Sequence, residues 1–377
     1  MNFIKQHSTL FKRLILACIL ILLALVLLEG LLRVYGPAIS LKMDSYKMVD
    51  PQNSKNWILR SGYEGTLSEL MEKEQQEGKE LGVALISQAA QKYSLSSDSV
   101  LFQVNGFGFK GPDIEKGKKS GTIRIMTMGD SCTFGFFYDW CSYPRTLERY
   151  LQNQGKRVEV VNAGVEGYTS QNVLYRLDYF TSFQPDIAII YLGWNNLYSD
   201  CLGTKRLYTF RAFYKLYNSL FPPKIKEGRL CFIDHYYNSS TGEALRYNRD
   251  YEPSFLPQVR QIVSQLSENG VKPVLVTLPG LFSIDNPPSE EVLQMGHLPS
   301  NIKNAYVLAV MAHKYNNALR LLATEENIPL IDLEEWAETE LVPPESWFFD
   351  SVHLESEGQM AIGNYIGERL ILLGLVK

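Results

Sequence analysis

Residues 123–131 read Ile123-Arg124-Ile125-Met126-Thr127-Met128-Gly129-Asp130-Ser131, a β-leaning apolar run that closes in a tight turn and a serine. A helix-like segment follows at Tyr143–Gln152, and the alternation repeats along the chain. Further strand-like runs fall at Val158–Val161, Asp186–Leu192, Pro273–Leu278 and Pro329–Asp332. Helix-like segments fall at Gln171–Phe180, Val259–Asn269, Tyr315–Glu326 and Met360–Leu373. Short strands that are apolar on both sides, alternating with amphipathic helices, require a parallel sheet covered on both faces. The pattern predicts a doubly wound α/β domain, in which ligands sit at the carboxyl ends of the strands.

Four polar segments fall at those ends: Gly129-Asp130-Ser131, Asn162 to Ser170, Gly193-Trp194-Asn195-Asn196, and Asp350-Ser351-Val352-His353. Acyl transfer needs these residue types. A serine hydroxyl is a weak nucleophile until a base takes its proton. A histidine does so near neutral pH when a carboxylate fixes its tautomer and stabilises the imidazolium. Asp350 and His353 are three residues apart, so one turn projects both from the same side. The oxyanion needs N–H donors, and the candidates are the backbone of Ser131, the backbone of Gly167 and the side-chain amide of Asn195. At 167 the missing Cβ lets the main chain come close.

Simpler readings exist for each residue. Ser131 is also a favoured helix N-cap type. His353 is one of only five histidines, and His7, His235, His297 and His313 lack an Asp at the same offset. Asp130, in its tight turn, reads as structural; Trp194 reads as packing, with a substrate platform as the alternative. Gly164 reads as an ordinary turn glycine.

In order and spacing these segments resemble the blocks of the SGNH hydrolases, also called GDSL lipases/esterases, across roughly Ile123 to Lys377. Ser131 matches the block I serine, Gly167 the block II glycine, Asn195 the block III asparagine, and Asp350 with His353 the block V pair. The resemblance implies a three-layer α/β/α sandwich with a five-stranded parallel sheet, related to the flavodoxin-like folds. It also implies a Ser131–His353–Asp350 triad that hydrolyses carboxylic esters with no metal or organic cofactor. Two positions depart from the family. Asn196 stands where Asp is common, which predicts altered loop hydrogen bonding without loss of activity. Cys132-Thr133 replaces the usual leucine after the serine, which puts lipase-type specificity in doubt. The expected substrate is an acyl ester, most simply O-acetyl, on an envelope carbohydrate or lipid. The alternatives are an acyltransferase to a polysaccharide hydroxyl and a noncatalytic carbohydrate-binding scaffold.

Upstream, Lys5, Lys12 and Arg13 precede an unbroken apolar run from Leu14 to Leu28, and the pattern continues to Val34. With about 20 residues it is long enough to span a bilayer. A cleaved signal peptide has a similar pattern, but Pro37-Ala38-Ile39-Ser40 is a poor cleavage site, so residues 1–36 read as a transmembrane signal anchor. Basic residues ahead of the run keep the N-terminus inside and place the rest outside the cytoplasm, on the periplasmic or cell-surface side. Residues 37–112 read as a helical, membrane-proximal linker and 113–377 as the hydrolase domain. Within that linker, the glycines and proline of Asn105 to Pro112 mark a turn and resemble a membrane-tethered bacterial subgroup of the family.

The composition, 45% hydrophobic and 21% charged with a net charge of -4, is that of a globular chain without a basic field for nucleic acid. No His/Cys cluster has zinc-ligand spacing. Cys132, Cys141, Cys201 and Cys231 permit disulfides in an exported domain, with Cys201–Cys231 the first pair to consider, or stand as four free thiols. The tyrosines between Tyr198 and Tyr251 face a sugar or fill a core.

Overall fold

A computed structural model describes residues 44–76, 80–135, 138–201, 251–284 and 305–377, with a few positions between 16 and 27. The larger of two compact units comprises Asp44–Leu202 with Arg229–Lys377, and it holds the fold and the site. The expected anchor and the pairing of Cys201 with Cys231 lie in whole or part outside the described residues, as does most of the tyrosine-rich insertion. Among the described residues no helix is long and apolar enough to cross a membrane.

Five parallel strands form the central sheet: β5 (Ile123–Gly129), β6 (Val158–Gly164), β7 (Ile187–Tyr191), β8 (Lys272–Val276) and β9 (Leu330–Ile331), in the order β6-β5-β7-β8-β9. This is the flavodoxin-like order. The chain leaves β5 for β6 on one side, then crosses to β7 on the other. With right-handed crossovers, the two connections lie on opposite faces of the sheet and open a crevice at the carboxyl end of β5. The helices follow as α3 (Ser131–Phe134), α4 (Tyr143–Asn153), α5 (Ser170–Thr181), α6 (Trp194–Cys201), α7 (Leu256–Glu268), α8 (Ala305–Glu325), α9 (Leu333–Glu340) and α10 (Ser356–Leu372). Helix α4 packs on α10, and α5 packs on α7.

β5 is flanked by β6 and β7, and its Ile125, Met126, Thr127 and Met128 are fully buried. Each such apolar side chain contributes roughly 1.5–3 kcal/mol by leaving water. Thr127 satisfies its hydroxyl by donating to Val161 O at 3.2 Å. At the opposite end of the strand the buried Arg124 guanidinium donates to Glu159 and to the carbonyls of Glu115, Lys116 and Phe183, closing the sheet's amino edge.

Residues 44–112 differ from the linker expected there. Two helices are present, Leu67–Gln76 (α1) and Glu80–Lys92 (α2), but so are four strands, β1 (Lys47–Asp50), β2 (Asn53–Leu59), β3 (Glu64–Thr66) and β4 (Val100–Gln103). β1 pairs antiparallel with β2, and β3 with β4. They belong to the same compact unit as the central sheet. The turn at Asn105 is as expected: Asn105 Oδ1 accepts from Phe107 N and Phe109 N, and its amide donates to Pro112 O. Lys110 then runs inward and donates to Phe134 O and Gly135 O at 2.9 and 2.6 Å, behind α3.

Candidate active site

The Gly129 turn is closed by sterics. A Cβ on Gly129 would lie 2.1 Å from Thr133 Oγ1 and 2.2 Å from Tyr191 O, so only glycine lets α3 fold back on the strand ends. The N-cap of α3 is Asp130, not Ser131: its side chain accepts from Cys132 N at 3.0 Å. Ser131 is the first helical residue, whose N–H has no acceptor within the helix and is available to a ligand.

Ser131 Oγ lies 2.7 Å from His353 Nε2, and His353 Nδ1 lies 2.7 Å from Asp350 Oδ2. Asp350 Oδ1 accepts from Val352 N at 2.9 Å and His353 N at 2.8 Å. The pair sits in an Asx-type loop between the 3-10 turn Pro344–Ser346 and α10, and this folding-back brings the two side chains together. The Phe349 ring stacks on the imidazole, with centroids 5.5 Å apart and planes 7° from parallel. Burial pushes the Asp350 carboxyl up, but the imidazole beside it and the N–H donors more than reverse this and hold it below the usual range. Burial pushes His353 down, and Asp350 foremost, then Asp130 and Glu166, bring it above its ordinary value.

Asn195 reaches the loop that carries Gly167. Asn195 Nδ2 donates to Tyr168 O at 3.1 Å, next to Gly167, and leaves its second amide hydrogen for another acceptor. Gly167 has φ +80°, a conformation that disfavours any Cβ. The loop leaves β6 beside β5, the strand that leads to Ser131: Gly164 pairs with Gly129, and Val165 N donates to Gly129 O at 3.2 Å. Asn196 is buried and accepts from Ser170 N at 2.9 Å while donating to Ser170 Oγ at 3.1 Å, so it ties the starts of α6 and α5 together.

The other candidates are structural or incomplete. Trp194 is 4% exposed and packs over Gly280. His313, which has no carboxylate at a comparable offset in sequence, gains one in the fold, with Glu334 Oε1 3.2 Å from Nδ1. That Glu334 is itself held by Arg320. Cys132 and Cys141 are buried free thiols, so neither takes part in a disulfide.

Sequence reasoning missed a set of residues on the amino-terminal hairpin. Tyr46 OH donates to the Glu166 carboxylate, Lys47 Nζ is 2.6 Å from Glu166 Oε2, and Trp57 Nε1 donates to Glu166 O at 3.1 Å. No periodicity marks them; the one signal is a tryptophan in the otherwise polar run Asn53 to Trp57.

A parallel α/β sheet with a serine–histidine–carboxylate chain at its carboxyl edge has the arrangement of a serine-dependent acyl-transfer site. Residues 127–361, more than half of the chain, match the profile of the GDSL-like Lipase/Acylhydrolase family, and the chain belongs to that family. It is an ester-hydrolysing enzyme. No curated protein matches it by sequence. Similar solved structures include a lipase/acylhydrolase from Enterococcus faecalis, with 16% identity, TM-score 0.42, and coverage of 68% of this chain and 97% of that one. Another is an acetylxylan esterase from Geobacillus stearothermophilus, with 16% identity, TM-score 0.41, and coverage of 67% and 96%.

Proposed function

We propose that the chain is a serine carboxylic-ester hydrolase with Ser131 as nucleophile, His353 as base and Asp350 as the base's partner. The reading rests on one observation, the unbroken chain of 2.7 Å contacts from Ser131 Oγ through His353 to Asp350. His353 Nε2 takes the hydroxyl proton as Oγ bonds to the ester carbon. The carbonyl oxygen becomes an oxyanion, received by the N–H groups of Ser131 and Gly167 and by the free amide hydrogen of Asn195. Collapse expels the alcohol, which takes the proton from His353. A water, deprotonated by the same imidazole, then releases the acid and restores Ser131.

The substrate is an acyl ester, O-acetyl first, of a carbohydrate or lipid of the cell envelope. The apolar run from Leu14 to Leu28, continued past Glu29 and Gly30 to Val34, supports a membrane anchor that carries the catalytic domain outside the cytoplasm. Turnover of p-nitrophenyl esters of rising chain length, with and without a polysaccharide acceptor, tests this. A steep preference for acetate, with free acetate as product, supports deacetylation. A preference for long chains points to lipid, and transfer to the acceptor makes the chain an acyltransferase. A reporter fused after Lys377 should be active only outside the cytoplasm, and activity inside removes the anchor reading.

A further inference from the structure

The loop carrying Gly167 is gripped from outside the family-matched region, by the hairpin that precedes it. Three side chains close on Glu166: Tyr46 and Lys47 on its carboxylate, and the Trp57 indole on its carbonyl at 3.1 Å. The hairpin takes two further holds just beyond, with Tyr168 OH donating to Trp57 O at 2.5 Å and Asn172 Nδ2 to Asn56 Oδ1 at 3.0 Å. The grip is anchored in turn: Lys47 also pairs with Asp44 at 2.7 Å, and Asp44 with Lys73 of α1 at 2.6 Å. Charges therefore alternate along Glu166, Lys47, Asp44 and Lys73, with side chains only 11–24% exposed. The Trp57 ring also lies 3.2 Å from where a Gly167 Cβ would be.

The Trp57 contact has a geometric consequence. Glu166 C=O and Gly167 N–H belong to one planar trans peptide, so they point in opposite directions. A donor that holds the carbonyl on the hairpin side turns the N–H to the other flank. The loop that carries this peptide leaves β6 beside the β5 end, where Val165 N donates to Gly129 O at 3.2 Å and Ser131 begins two residues after Gly129. Glycine at φ +80° would otherwise let this peptide rotate with little steric resistance.

We infer that Trp57 is a positioning residue for the reaction: its indole N–H locks the Glu166–Gly167 peptide so that Gly167 N–H is preset as an oxyanion donor, with Tyr46 and Lys47 bracing the same residue. This rests on the placement of Gly167 in the oxyanion hole proposed above. The hairpin is then a working wall of the active site, although it lies well before residue 127.

Trp57→Phe in the full chain tests it, because the ring stays and only the donor is lost. Turnover of p-nitrophenyl acetate is taken per serine titrated by a fluorophosphonate, so unfolded protein is not counted. The expected result is a kcat about tenfold lower or more, with KM within about twofold, the pattern of an interaction made in the transition state. Trp57→His, which offers a ring N–H, should recover part of the loss. If Trp57→Phe gives no folded protein, Tyr46→Phe combined with Lys47→Met loosens the same residue and should lower kcat about threefold at constant KM. Unchanged kcat, or a loss carried by KM, overturns the inference. If Ser131→Ala is inactive while Trp57→Phe is normal, the lock falls and the triad stands; if Ser131→Ala keeps full turnover, the reading of the site itself falls.

Discussion

Two turns at the carboxyl edge of the sheet each carry a buried aspartate, one beside Ser131 in sequence and one against His353, and the two acids behave oppositely. Asp350 accepts three N–H groups, from Val352, His353 and the His353 ring, and its carboxyl is held below the usual range. Asp130 accepts one, from Cys132, while its Oδ2 has no hydrogen-bond partner among the described residues. Burial, only partly offset by that one donor and by His353, pushes it up to about 6. Both side chains are nearly inaccessible, at 5% and 0% exposure, so depth is not what separates them. The imidazole directly beside Asp350 and its larger supply of donors separate them. Asp350 is equipped to stay charged beside an imidazolium; Asp130 shapes the turn that presents Ser131, at a cost in solvation.

The comparison is tested most severely by Asp350→Asn. Without the carboxylate the imidazole loses its tautomer control and its counter-charge, and kcat should fall by about 10³–10⁴. An effect below tenfold would make Asp350 no more than a loop acid. The adjacent amides at the end of β7 sharpen the same contrast between reacting and supporting groups. Asn195→Ala should lower kcat by about 10²–10³, with slowed but surviving covalent labelling of Ser131. Asn196→Asp keeps an acceptor for Ser170 N and should change kcat by less than about tenfold. If Asn196 proves the more damaging of the two, the oxyanion assignment is off by one residue.

Asp130→Asn should have the smallest effect, because the amide oxygen can still cap Cys132 N. In the wild type kcat/KM should rise with pH through an apparent pKa above the ordinary histidine value, since His353 must be neutral to act as base. Removing the Asp130 charge should move that rise to lower pH and alter the plateau by only a few-fold. Stability should shift in the opposite sense to that of a paired carboxylate. The folded pKa of Asp130 lies above the unfolded one, so the folded state is penalised above pH about 6, and the penalty fades as pH falls toward about 4. It is on the order of 2–3 kcal/mol at pH 8. Asp130→Asn should therefore raise Tm by a few degrees at pH 8 and by nothing near pH 4. A lower Tm at pH 8 would mean that the carboxylate has a stabilising role absent from this account.

The central sheet was legible because its strands are short apolar runs, and β5, β6 and β7 each lead into a glycine-containing segment; Ile123–Met128 and Asp186–Leu192 match β5 and β7 to within two residues. The meeting of Ser131, His353 and Asp350 was legible because acyl-transfer chemistry restricts the residue types at such turns. The hairpin was not. Asn53-Ser54-Lys55-Asn56-Trp57 is polar on both sides, because this strand meets a loop through side-chain hydrogen bonds instead of burying an apolar face. Such contacts depend on long-range geometry: Trp57 and Glu166 are 109 positions apart. The Glu334 partner of His313 was hidden for the same reason.

The most direct test of the central claim is fluorophosphonate labelling of the full chain, followed by mapping of the modified residue. The account predicts one label per chain, on Ser131, formed faster as pH rises through the His353 titration and abolished in Ser131→Ala together with ester turnover. A label on another residue, or esterase activity that survives Ser131→Ala, would contradict it.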